Sequence, residues 1–215
     1  MILLFVDFPD ATSDEDTHDI AGPLSEGIEE YYEEVSYGQL SVNIDAVHQW
    51  YQMPSDSGTY DYGSFDGQWQ LFTDATNAAD PDVDFSDYDI ILTAEGPGET
   101  HSYSPAFLGA GKPVMTDEGP IKWGSTLGQD IYSPSRGYIV PVHEMGHLFG
   151  LPDLYAYDGD LHRFVGSWDI MGNIDAKPGM SAWHRNKMGW FAAEQVTCIE
   201  YSGTTEVDLT PLADP

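Results

Sequence analysis

The run His143-Glu144-Met145-Gly146-His147-Leu148-Phe149-Gly150-Leu151-Pro152-Asp153 constrains this chain more than any other segment. His143 and His147 are four residues apart, so on a helix they share one face. Imidazole nitrogens are ready ligands for zinc. Glu144, one position on, projects beside such an ion and not across it. A general base stands there to take a proton from a water that the ion polarises. Gly150 then lets the helix stop sharply, because glycine adopts a left-handed backbone at little cost. Pro152 cannot continue a helix. The reversal can bring Asp153 back as a third ligand and leave a coordination position open, as hydrolytic zinc sites do. Asp158, Asp175 and Glu118 stay open as other carboxylates that could take that place. Without a metal, the same residues would be an ordinary helix with two packed or surface histidines.

The segment resembles the metzincin zinc signature, with Asp153 where most members have a third histidine. More widely the chain is similar to the immune inhibitor A family of secreted metallopeptidases. The likeness rests on His143, Glu144, Gly146, His147, Gly150, Pro152, Asp153 and Tyr155, and on Trp168-Asp169-Ile170-Met171-Gly172, which resembles that family's methionine turn. Weaker matches lie at Phe5–Asp10, Val35–Leu40, Ser181–His184 and Met188–Trp190. The likeness runs over residues 2–212. It implies an α/β (α+β) zincin/metzincin-like fold, with a twisted, mostly parallel sheet, an active-site helix and a smaller C-terminal lobe. It also implies a zinc-dependent endopeptidase with Glu144 as catalytic base and Met171 as an apolar base beneath His143, His147 and Asp153. Asn173 stands where many metzincins carry a tyrosine that helps hold the oxyanion. Tyr155, Tyr157 and His184 are the substitutes weighed for that donor. Two other functions fit the same motif: a catalytically silent binding relative, and another zinc amide hydrolase of narrow range. Glu144 argues against the first, because a purely structural zinc needs no base.

A chain of 215 residues with 41% hydrophobic content can build a sizeable core. Its charge is extreme: 37 acidic residues against 7 basic give a formal net charge of -30. Such self-repulsion opposes compaction in dilute buffer. At molar salt the screening length falls to about 3 Å and most of that cost disappears. The acid is spread along the whole chain, which points to a solvated acidic shell and a halophilic setting. A nucleic-acid partner is disfavoured, since there is no cationic footprint. The expected partner is a protein or peptide substrate, with the chain a monomer and not bound to a membrane. Asp80, Asp82, Asp84, Asp87 and Asp89, or Asp153, Asp158 and Asp160, could offer hard oxygens to calcium. Neither set matches the twelve-residue helix-loop-helix pattern.

Met1–Val6 is apolar but too short for a membrane span or a full signal, and reads as the first strand. The family resemblance implies extracellular work, with a signal and propeptide outside this sequence. Residues 1–215 read as one catalytic domain: an upper lobe over 1–150 and a lower lobe over 151–195. Short strands follow over 196–215, which could start a further domain. A helix is expected from a Ser25 cap through Val35 and ending near Gly38, with strands over 40–47 and 50–53. A second helix is expected over 69–79 and a buried strand over 88–94. Extended segments are expected over 112–116, 197–201 and 205–209. Cys198 is the sole cysteine, so it has no internal disulfide partner, and it reads as a small packed side chain.

Overall fold

The computed structural model describes residues 1–98, 101–108 and 113–213. Its first strand, β1 (Ile2–Asp7), is buried at all six positions. Such a run, without polar alternation, belongs at the centre of a sheet covered on both faces. Leu3 and Phe5 enter one apolar cluster, and Ile2, Leu4 and Val6 the other. Each of these clusters is a layer of the core.

The first layer contains α1 (Thr17–Val35). Its buried residues Ala21, Leu24, Ile28, Tyr32 and Val35 recur every three or four positions, the stripe of a helix facing a core. The helix starts at Thr17 and not after Ser25. Asp16 is the cap, its side chain accepting the His18 backbone N–H. Pro23 and Gly22 read locally as breakers. Burial of Ala21 and Leu24 outweighs that preference, and Pro23 sits inside the helix on the exposed side. The expected strands over 40–47 and 50–53 are one strand, β2 (Asp45–Gln52). It runs parallel to β1 with a register shift opposite Leu3 and Phe5. The second layer holds α2 (Phe65–Ala79), which opens on Ser64 accepting from Gly67 N–H, four residues before the expected start.

Strand β3 (Ile91–Glu95) pairs parallel with β1. Next come β4 (Ala106–Leu108), the short hairpin of β5 (Val114–Met115) with β6 (Pro120–Ile121), and β7 (Trp123–Leu127). The main sheet has the order β2-β1-β3-β7-β4, parallel except for β4, the antiparallel edge strand. Lys112, the first residue of the expected extended segment, lies outside the described residues. The next helix, α3 (Ile139–Leu148), shares the apolar layer of α1 through Ile139, Val140, Val142 and Met145. Beyond it the chain forms a smaller lobe of loops, short 3-10 turns and α4 (Ala182–Lys187). The result is a zincin/metzincin-like α/β fold, with the two-histidine helix packed beneath a mostly parallel sheet.

Residues 197–201 and 205–209 form no strand, and they are exposed. Alternation alone does not make a strand; a neighbouring edge must supply hydrogen-bond partners. Tail contacts include the Leu212 carbonyl, which accepts from Tyr37 OH and from Arg185. Cys198 is correspondingly exposed and not packed. No described helix is long and apolar enough to cross a membrane.

Candidate metal centre

Helix α3 carries His143 and His147 with ring centroids 4.8 Å apart and ring planes at 89°. The two rings are fixed from behind by backbone carbonyls. His143 Nδ1 lies 3.0 Å from the Ile170 carbonyl and His147 Nδ1 lies 2.9 Å from that of Leu151. A carbonyl only accepts, so each Nδ1 carries the proton and each Nε2 presents a lone pair.

The helix ends as the glycine requires. Gly150 has φ +84°, its N–H bonds to the His147 carbonyl, and Leu151 N–H reaches back to Gly146. The reversal brings Asp153 Oδ1 to 3.2 Å from His143 Nε2 and 3.3 Å from His147 Nε2. That oxygen is buried and has no hydrogen-bond partner. Its mate Oδ2 accepts from the Tyr157 hydroxyl at 3.0 Å, which holds the carboxylate in this orientation. Burial alone would raise the Asp153 carboxyl. The His143 and His147 rings more than offset this and hold it well below the usual carboxylate range. All three candidate ligand atoms lie within 4.8 Å of one another. Lone pairs so converged repel unless a cation sits among them, so the donor set fits a metal ion, and two imidazoles with a carboxylate suit zinc.

The other weighed carboxylates are engaged elsewhere. Asp158 pairs with Arg163, Asp175 pairs with Arg136, and Glu118 is exposed on the β5–β6 turn. Among the described residues His143, His147 and Asp153 are the one grouping of three such side chains. The aspartates of 80–89 form none. Asp84 instead caps a short turn, and Asp82 accepts from Gln49.

Glu144 lines a cavity of about 500 Å³ that also exposes both histidines. Burial pushes its carboxyl up to about 7, against the opposing pull of His143 and His147. Tyr155 stacks on the His143 ring at 6.4 Å and lines the same cavity, and its hydroxyl, like that of Tyr157, is directed to Asp153. His184, weighed as an oxyanion donor, does not reach the cavity. It is fully buried, with Nδ1 2.8 Å from Asp169 Oδ2. Asn173 spends its amide on Ser167 and on capping the turn at 174–176.

Met171 is buried and packs against α3 from the side away from the cavity mouth. A Cβ placed on Gly146 would stand 2.5 Å from the Met171 sulfur, so the glycine between the histidines makes room for that side chain. Gly146→Ala should displace Met171 and cost about 1–3 kcal/mol by overpacking. Chemical denaturation measures this, and an unchanged midpoint would show that the contact is slack. Two residues that matter here were given no role by the sequence. Asp169 accepts from Met171 N–H and Ser181 N–H as well as from His184. Asp130, from the turn before α3, stands in the cavity wall. Asp169 sits in the quoted methionine turn, but two of its three partners come from 12 and 15 positions further on.

Among solved structures, the chain is similar to metalloproteinase-II from Bacteroides fragilis, at 14% identity and a TM-score of 0.49. The match covers 87% of this chain and 51% of that one, so the chain spans about half the length of that protein. No protein-family model matches the sequence, and no curated protein matches it.

Proposed function

We propose that this chain is a zinc-dependent endopeptidase in which His143, His147 and Asp153 hold the ion and Glu144 is the catalytic base. One observation carries the reading: two outward-facing Nε2 atoms and an orphaned carboxylate oxygen converge beside an accessible glutamate. When bound, zinc supplies Lewis acidity to a water and to the scissile carbonyl. The residues of the chain do the rest. Glu144 accepts a proton from the attacking water and delivers it to the leaving amide nitrogen as the C–N bond breaks. A carboxyl titrating near neutrality suits both tasks. The Ile170 and Leu151 carbonyls and the Tyr157 hydroxyl keep the ligand atoms aimed, so little reorganisation accompanies loading. Tyr155, stacked on His143 at the cavity, is the phenol we assign as donor toward the substrate oxygen, which requires it to turn from Asp153.

The resemblance to immune inhibitor A peptidases supports work outside the cell, and a net charge of -30 supports a salty medium. The test is hydrolysis of a protein substrate by the zinc-loaded chain at molar and at dilute salt. Activity should vanish with a chelator, return with zinc and be higher at molar salt. A zinc-loaded, folded chain that cuts nothing would sink the peptidase reading. Equal activity at both salts would remove only the halophilic part.

A further inference from the structure

The cavity beside the metal centre holds a charge that the hydrolytic chemistry does not use. Asp130 lies on the 3-10 turn Gln129–Tyr132, between the last sheet strand and α3, and forms part of the cavity wall with Val140, His143 and Glu144. Its Oδ1 accepts from the Ser104 hydroxyl at 2.7 Å, and that hydroxyl in turn accepts from Gly128 N–H. Among the described residues Ser104 is the one side chain hydrogen-bonded to this carboxylate, and the half-buried side chain lines the cavity. Among the described residues Asp130 forms no ion pair. The nearby cation Arg136 is committed across the cavity to Asp175, at 2.7 and 3.3 Å.

A purely structural partner for Ser104 could be a neutral asparagine. A carboxylate half-removed from water carries a desolvation cost, which burial registers by raising the Asp130 carboxyl. The two cationic groups that act on it, Arg136 and His101, are each paired with another carboxylate, Asp175 and Glu95. A bound divalent ion would be offset by Asp153 and Glu144, and Arg136 pairs with Asp175, so Asp130 is a cavity carboxylate that forms no ion pair among the described residues.

We propose that Asp130 is a specificity residue that receives an organic cation of the substrate, an ammonium or guanidinium, flanking the scissile bond. The assignment rests on the peptidase reading above. A contact ion pair in a half-covered cavity survives salt better than a surface pair does. The preference should therefore persist at the ionic strength that this acidic chain calls for.

The experiment is a mixture-of-peptides digest at molar salt by the zinc-loaded chain and by Asp130→Asn, with the cut sites read by mass spectrometry. One arm uses N-acetylated peptides, so that lysine and arginine side chains are the cationic source. The matched free-amine arm adds the α-ammonium group. Cuts next to the cation should exceed cuts between apolar residues by about tenfold or more, and Asp130→Asn should erase that ratio. Asp130→Glu, which keeps the charge, should retain part of it. The arm in which the preference appears names its source. The ratio is internal to each digest, so a variant that folds less well still reports it. A ratio near one in the unmodified chain, or the same ratio in Asp130→Asn, overturns the assignment and leaves the peptidase reading intact. No cutting in either arm by the folded, zinc-loaded chain removes the peptidase reading and this inference with it.

Discussion

Glu144→Gln should lower kcat by about 10²–10⁴-fold while the protein still takes up one zinc ion and melts as before. The amide has the shape of the carboxylate but cannot accept the proton of the attacking water. None of the three ligand atoms is touched, since these belong to His143, His147 and Asp153. Glu144 forms no ion pair among the described residues, so the exchange strands no salt-bridge partner there. It removes a group whose carboxyl burial has raised to about 7, so stability should hold or improve. Zinc content by atomic emission and single-turnover cleavage rates separate the roles. A variant that keeps its metal and cuts at the original rate would exclude Glu144 as the base. One that loses its metal would show the residue to be a ligand instead.

The second large effect lies behind the metal centre. Asp169 and His184 are both fully buried, and Asp169 accepts from three donors: Met171 N–H, Ser181 N–H and His184 Nδ1. Asp169→Ala strands all three in a dry environment, with an expected loss of about 3–5 kcal/mol. Since Ile170, the next residue, supplies the carbonyl that fixes His143, zinc affinity should fall with stability. The carboxylate also sets an acid limit. Burial pushes the Asp169 carboxyl up, but the His184 ring, the Ser181 group and the two backbone N–H donors more than reverse this, and the folded value is lowered. A lowered folded value contributes stability that is complete above the ordinary aspartate range. That stability is lost as pH falls through the folded value. Denaturation midpoints measured between neutral pH and about pH 3 should fall more steeply for the unmodified chain than for Asp169→Ala. Parallel slopes would mean that another carboxylate governs the acid side.

Much of the site was legible because its logic is local. The four-residue spacing of the histidines, the glycine stop and the following aspartate all act within one turn of helix and its reversal. The closeness of the three side chains needed no information from elsewhere, although the aim of the His143 ring did. The same holds for β1, whose apolar run reads as the first strand, and for the apolar spacing of Ile28, Tyr31, Tyr32 and Val35, of which Tyr31 is only half-buried.

Local rules failed where a distant partner decided the outcome. The start of α1 moved back to Thr17 because Ala21 and Leu24 found a sheet to cover, which outweighed Gly22 and Pro23. Residues 197–201 and 205–209 stayed unpaired because no sheet edge met them. His184 is weighed in the sequence as an oxyanion donor, yet Asp169 holds it in the interior.

The amino-acid order alone determined that two imidazoles and a carboxylate could meet, since backbone geometry over eleven residues leaves few other arrangements. Tertiary structure alone decided which nitrogens keep their protons, because the carbonyls of Leu151 and Ile170 come from beyond the helix. It likewise decided that Met171 occupies the hollow at Gly146, and that Asp130 faces the same cavity as Glu144. Except for the Leu151 carbonyl, four residues from His147, each of these depends on packing between segments far apart in the chain, where contact is governed by shape and burial and not by sequence spacing.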